Sequence, residues 1–141
     1  DSSWGLADLE GGWNDDGHPD YLGYGWYRKS FRVPQNLAEA EALHFLFQAV
    51  DEEAEIWLNG RKVFEHTCAA TGLSPEELWT KPFSFKAGGA LDRSGDNVLA
   101  VRVYNRAGMG GIWKPVHLVN NKDALTASTL TMAIQHANPA D

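Results

Sequence analysis

Aromatic and polar side chains lie together in several connecting segments of this 141-residue chain, and such mixtures are suited to binding a sugar. The C–H face of a pyranose packs on a flat indole or phenol ring, whereas its hydroxyls need paired donors and acceptors. Binding sites of this kind are concave and carry a few placed polar groups. The candidate carbohydrate-binding residues are Trp13, Asp16, His18, Tyr24, Trp79, Asn105, Arg106 and Trp113.

Catalytic chemistry has less support in the sequence. There is no GxSxG elbow, HExxH motif, P-loop or GxGxxG fingerprint. A carboxylate pair can hydrolyse a glycosidic bond, but the spacing of Asp15, Asp16, Asp20, Glu76 and Glu77 within predicted loops is uninformative. We therefore expect no catalytic residues. A free-standing enzyme that uses these carboxylates remains a hypothesis, ranked below the binding and structural roles given at the end of this section.

Metal binding is left open by the sequence. Asp15, Asp16 and Asp20 offer oxygen ligands for a structural Ca²⁺, although the run lacks the EF-hand pattern. We expect that no cofactor is required. The single cysteine, Cys68, excludes an internal disulfide and a multi-cysteine metal cluster within this chain.

Composition and length exclude several kinds of partner and one common enzyme fold. The chain has 19 acidic and 12 basic residues and a net charge of −7, which argues against a nucleic-acid partner. No apolar run approaches the roughly 20 residues that a bilayer requires, so we expect no membrane partner. The length is too short for a TIM barrel, which needs about 250 residues. Six Trp, four Tyr, six Phe and 14 Gly favour an all-β domain.

Period-two alternation of apolar residues then predicts short strands along most of the chain. The dipeptide Asn59-Gly60 is a strong hairpin signal. We expect Tyr27 and Tyr104 in the core and Trp57 in a packing or inter-domain contact. Short strands with frequent turns predict an antiparallel β-sandwich. The predicted strands are 26–33, 43–50, 54–58, 61–66, 83–86, 97–104, 113–119 and 129–135.

Antiparallel order would make the loops alternate between two ends of such a sandwich. One end would collect residues 10–25, 51–53, 66–82 and 105–112, which contain the aromatic and polar residues above. We call this the loop end. Nine of the 19 acidic residues fall there against two basic ones, so we expect neutral sugars rather than uronic acids or sulfated sugars.

Five segments in order carry a family resemblance: 23–34 (GYGWYRKSFRVP), 49–60 (AVDEEAEIWLNG), 82–85 (PFSF), 95–105 (GDNVLAVRVYN) and 110–118 (GGIWKPVHL). They resemble the N-terminal sugar-binding domain of glycoside hydrolase family 2, found in β-galactosidases, β-glucuronidases and β-mannosidases. The resemblance implies a jelly-roll β-sandwich with a galactose-binding-like fold. It also implies a non-catalytic role, because the family's catalytic glutamates lie on a separate barrel.

The match covers about residues 13–119, so we divide the chain into a domain at 1–119 and a linker or extra terminal strand at 120–141. The stretch 66–81 is longer than the family's usual connection, and Ser74 with Glu77 forms a predicted capping box. The start at Asp1, with neither an initiator Met nor a signal peptide, leads us to expect an excised domain.

The sequence therefore predicts a non-catalytic carbohydrate-binding module of a larger glycoside hydrolase or related polysaccharide-active enzyme. Its expected partners are an oligo- or polysaccharide and the catalytic domain of that enzyme. The alternative is a structural accessory domain that packs against a catalytic barrel and binds no glycan alone, which an exposed apolar face around Trp57 would favour. We expect a secreted or periplasmic protein, since polysaccharides usually lie outside the cell.

Overall fold

The computed structural model describes residues 5–6, 23–105, 111–112, 116–120, 129–132 and 135–136. Within these ranges strands predominate, and the helices are single turns. The α-helical turns are α1 (Gln35–Ala38), α2 (Cys68–Thr71) and α3 (Pro75–Leu78), and a 3₁₀ turn spans Gly88–Ala90. The strands are β1 (Gly5–Leu6), β2 (Gly23–Arg32), β3 (His44–Phe47), β4 (Val50–Asp51), β5 (Glu53–Leu58), β6 (Arg61–His66), β7 (Phe83–Lys86), β8 (Asp96–Asn105), β9 (Gly111–Ile112), β10 (Val116–Val119), β11 (Leu130–Met132) and β12 (Gln135–His136).

Two main sheets form the sandwich, and the strand pairings in both are antiparallel. The larger sheet has the order β1-β12-β2-β8-β5-β6, and the smaller has β11-β10-β3-β7. A short third pairing joins β4 to β9. The all-β antiparallel sandwich predicted from the alternation is therefore confirmed.

The core fills the space between these sheets, because each sheet turns one parity of its residues inward. Leu99, Val101 and Val103 of β8 are fully buried, as the alternation predicted. They share one cluster with Phe45 and Phe47 of the smaller sheet. Burial of such side chains is the main favourable term in folding, worth about 1.5–3 kcal/mol for each large apolar side chain.

The hairpin between β5 and β6 forms at Asn59 and Gly60, where it was predicted. Both residues have positive φ, 52° and 82°, which suits the tight turns that join twisted strands. The Asn59 amide donates to the Ala90 carbonyl (2.8 Å) and to Asn97 Oδ1 (2.9 Å), while its oxygen accepts from the Val98 N–H (2.8 Å). One residue thus ties the hairpin to β8 and to the loop before it.

Strand register brings the loop end together. Tyr24 lies opposite Tyr104, Tyr104 lies opposite Glu53, and Ala54 lies opposite His66. The predicted grouping of 51–53, the start of 66–82 and the start of β2 is therefore confirmed within the described residues.

The end of one strand differs from the sequence prediction. The predicted strand 43–50 ends at Phe47, and the chain resumes as β4, which leaves the sheet to pair with β9. Within 120–141, β11 pairs with β10 of the smaller sheet, and β12 pairs with β1 and β2 of the larger one. This segment therefore contributes strands to both sheets.

Candidate functional site

The larger sheet turns an unusual surface away from the core. Because β2, β8 and β5 direct Tyr27, Val101 and Ile56 inward, the alternate residues point outward. We call this surface the outer face. It carries Tyr24, Trp26, Arg28, Glu53, Glu55, Trp57, Lys62, Glu65, Ala100, Arg102 and Tyr104.

A cleft of about 230 Å³ opens where the outer face meets the loop end. Its floor comes from β2, β8, β5 and β6, and its rim comes from the chain entering α2. The volume lies below the ≈ 300–1,000 Å³ typical of drug-sized ligands, so it is suited to a smaller group. The lining residues are Tyr24, Glu53, Ala54, Glu55, Glu65, Thr67, Ala69, Arg102 and Tyr104.

Arg102 connects the aromatic and acidic sides of this cleft. Its guanidinium carbon lies 4.5 Å from the centre of the Tyr24 ring, a cation–π distance. Its Nε donates to Glu55 Oε1 at 3.0 Å, and its terminal nitrogen pairs with the same oxygen. Lys62 Nζ donates to the other Glu55 oxygen at 2.6 Å and also pairs with Glu65.

These contacts decide the protonation of Glu55. Burial by itself opposes ionisation, but the hydrogen bonds from Lys62 and Arg102, with their charges, outweigh it and lower the pKa of the carboxyl group. The same pairs raise the pKa of Lys62, mainly through its hydrogen bonds to Glu55 and Glu65. The cleft therefore contains fixed, ionised groups at neutral pH.

Tyr24 and Tyr104 supply the aromatic wall. Their ring centres are 4.7 Å apart with planes tilted by 45°. Tyr24 remains 39% exposed, so a ligand in the cleft can reach it. The prediction that Tyr104 lies in the core is wrong, because it has the opposite parity from Leu99, Val101 and Val103 on the same strand.

The rim is held in place by capped turns and a buried histidine. The Cys68 N–H donates to Glu53 Oε2 at 2.6 Å, and Thr67 caps α2 through the Ala70 N–H at 3.0 Å. His66, only 3% exposed, stacks on Phe83 with centres 4.1 Å apart. The Cys68 contact ties the segment after β6 to β5, and the stacking of His66 ties the end of β6 to β7 of the smaller sheet.

Burial lowers the pKa of His66 to about 4, with a further contribution from the positive charge of Lys81, against an opposing backbone hydrogen bond at Leu78. His66 is therefore neutral at pH 7. The predicted capping box of α3 is confirmed, because Ser74 and Glu77 each accept a backbone N–H from the other. α3 presents buried Leu78 to the protein and leaves Trp79 44% exposed.

The predicted site residues have different outcomes. Tyr24 lines the cleft. Trp79, directly after α3, is exposed but is not among the residues that line the cleft. Asn105 is described only as the last residue of β8, opposite Gly23. The remaining predictions lie outside the described residues: Trp13, Asp16, His18, Arg106 and Trp113.

Sequence reasoning missed Arg102, Glu55 and Tyr104. Their signal was the outward parity of β5 and β8, which places them on the same side as Tyr24.

For metals, no cluster of three or more ligating side chains occurs in the described ranges, and Asp15, Asp16 and Asp20 lie outside them. Among the described residues, no helix has the length and apolar character needed to cross a membrane.

Solved structures resemble this fold, whereas no protein-family model and no curated protein matches the chain. A β-glucuronidase of Bacteroides uniformis is 29% identical with a TM-score of 0.67, over 84% of this chain and 14% of its own. A candidate β-galactosidase of Bacteroides fragilis is 26% identical with a TM-score of 0.57, over 82% of this chain and 17% of its own. A glycosyl hydrolase family 2 member from Bacteroides cellulosilyticus is 24% identical with a TM-score of 0.54, over 68% of this chain and 12% of its own. At that identity the likeness shows the fold alone.

The class of the domain follows from these likenesses. The chain has the fold of a β-sandwich domain within glycoside hydrolase family 2 enzymes, which confirms the resemblance indicated by the sequence motifs. It spans less than a fifth of those similar chains and so corresponds to one part of them.

Proposed function

We propose that the chain is a non-catalytic accessory domain of a larger glycoside hydrolase or related polysaccharide-active enzyme, and that it binds a neutral saccharide at its cleft. The observation that carries this proposal is the cleft itself, where Tyr24 and Tyr104 meet Arg102 and a set of carboxylates at the loop end. The likeness to parts of a β-glucuronidase and a candidate β-galactosidase supports it.

The chemistry of the cleft suits a neutral sugar better than an acidic one. The exposed Tyr24 ring offers a surface for a pyranose face, and the carboxylates of Glu53 and Glu55 accept hydrogen bonds from hydroxyls. The positive charge of Arg102 is already paired with Glu55, so a uronate would meet carboxylates without a dedicated cation. Like charges brought together in this way are unfavourable.

The state of Glu55 also supports a binding role. A glycosidase acid needs a raised pKa so that it carries a proton at working pH. The pKa of Glu55 is instead lowered by Lys62 and Arg102. This direction argues against Glu55 as a catalytic acid, and the proposal expects no turnover of chromogenic glycosides by this chain.

The remaining expectations stay part of the proposal. Trp13, Asp16, His18, Trp79, Asn105, Arg106 and Trp113 would extend the site around the loop end. A structural Ca²⁺ would fit the acidic run near residue 15, the catalytic domain of the same enzyme would be the protein partner, and the location would be extracellular or periplasmic.

Calorimetric titration with neutral, amino and uronic sugars tests the proposal. We expect binding of at least one neutral sugar, and loss of that binding in Tyr24→Ala. Tyr24→Phe is the matched control, since it keeps the ring and removes only the hydroxyl. Flat titrations across the whole panel, with folded protein, would contradict the proposal.

The second candidate function is a structural domain that packs on the catalytic barrel and binds no glycan alone. The observation in its favour is the pair of tryptophans on the outer face, Trp26 and Trp57, whose ring centres are 5.2 Å apart. This alternative predicts flat glycan titrations together with weaker association of a Trp57→Ala variant with the rest of its enzyme.

A further inference from the structure

The tryptophan pair on the outer face has a definite position relative to the cleft. Trp26 lies on β2 and Trp57 on β5, with β8 between them. Trp26 lies opposite Arg102 and Trp57 opposite Ala100, so two inter-strand spacings and a two-residue offset along β8 separate their backbones by about 12 Å, yet their ring centres are only 5.2 Å apart and tilted by 45°. The two indoles therefore lean toward each other above β8, where the small side chain of Ala100 lies opposite Trp57.

Arg102 links this pair to the cleft. Its guanidinium carbon is 4.5 Å from the Tyr24 ring centre, and 6.0 and 5.9 Å from those of Trp26 and Trp57. Along β2, Tyr24 and Trp26 are two residues apart, about 7 Å. One continuous surface thus runs from the tyrosines of the cleft to the indoles.

We propose that Trp26 and Trp57 form a second saccharide subsite that continues the cleft, so that the ligand is a neutral oligosaccharide of two or more units rather than a single sugar. The inference rests on the proposed function and specifies its ligand. The first unit lies against Tyr24 and Tyr104, and the next packs on the indole pair.

The charges around the indoles favour a glycan over a protein partner. The side chains of Lys62, Glu65 and Arg102 remain 37%, 46% and 33% exposed. Lys62 also lies 5.4 Å from the Trp57 ring centre. A protein that covered the indoles would take these paired charges further out of water, and the loss of their hydration opposes such a contact. An oligosaccharide is narrow, leaves them hydrated and brings its own hydroxyls.

Titration by chain length tests this subsite. The 141-residue chain is titrated with gluco-, galacto-, manno- and xylo-oligosaccharides of one to four units, by calorimetry and by NMR of the indole N–H signals. We expect at least one series to gain about tenfold in affinity from one to two or three units. The signals of Trp26 and Trp57 should move with the longer ligand and not with the single sugar.

Two variants separate the subsites. Trp57→Ala should remove the gain from chain length and leave the affinity for the single sugar unchanged, whereas Tyr24→Ala should weaken both. Trp57→Leu is a second variant that keeps apolar volume, and circular dichroism checks that each protein is folded. Ser30→Ala, an exposed position further along β2, is the control and should change neither affinity.

The outcomes distinguish this inference from the proposed function. Affinity that does not depend on chain length, or an equal loss for all ligands in Trp57→Ala, would overturn the second subsite and leave the cleft proposal intact. Flat titrations with every sugar would overturn both. If Trp57→Ala weakened only the association with another domain of the enzyme, the structural alternative would be supported and the subsite refuted.

Discussion

His66 should make the stability of this domain depend on pH, and the structure allows the size of the effect to be worked out. The imidazole is 3% exposed, is stacked on Phe83, and has a buried Nε2 that finds no hydrogen-bond partner among the described residues. Its pKa falls from 6.5 to about 4. At about 1.4 kcal/mol per unit, that difference corresponds to about 3 kcal/mol.

The direction follows from which state binds the proton. Between pH 6.5 and 4 the unfolded chain protonates His66 while the folded chain keeps it neutral, so the free energy of unfolding decreases as pH falls. The contribution is complete above pH 6.5 and is lost progressively down to about pH 4. About 2 kcal/mol should disappear between pH 7 and pH 5.

The assay is urea unfolding followed by tryptophan fluorescence at several pH values from 7 to 5. His66→Phe is the informative variant, because phenylalanine can keep the stacking on Phe83 but cannot titrate. Burial also lowers the pKa of His117, so some pH dependence should remain in the variant. If wild type and His66→Phe lost the same stability between pH 7 and 5, the assignment to His66 would be refuted.

Three further predictions concern single residues. Gly60→Ala should lower the free energy of unfolding by about 1 kcal/mol, because φ is +82° there although no atom lies within 4 Å of a new Cβ; equal denaturation midpoints would contradict this. Arg102→Leu should raise the pKa of Glu55, measured by NMR titration of its carboxyl carbon, since one of its two cationic partners is lost; an unchanged pKa would show that Lys62 alone determines it. Ser74→Ala should cost about 1 kcal/mol through loss of the cap of α3, whereas Ser74→Asp should retain most of that stability; thermal unfolding of both variants is the test.

Local patterns predicted much of the fold. The alternation in 97–104 identified the buried residues of β8, and Asn59-Gly60 and Ser74 with Glu77 located a hairpin and a capped turn. Each of these features is decided by residues close in the chain. The early end of β3 was not predictable, because β4 pairs with β9 some 60 residues away.

The candidate site was predicted less completely. The loop end was placed correctly from strand parity, and Tyr24 was identified from its aromatic character and position. Arg102 and Glu55 were missed, since a charged residue on a strand looks in sequence like an ordinary solvated side chain. Their pairing depends on the register between β5 and β8, two strands that are 37 residues apart in the chain.

The sequence by itself determined which side chains of each strand face the core and which face outward, because that alternation is a property of the extended backbone. Only the tertiary structure decided which outward residues meet. Hydrogen-bonded register across β2, β8 and β5 brings Tyr24 to Tyr104 and Trp26 to Trp57, with Arg102 between the two pairs. A shift of one residue in that register would turn the same side chains into the core, so the surface exists only because the packed sandwich holds the strands in this alignment.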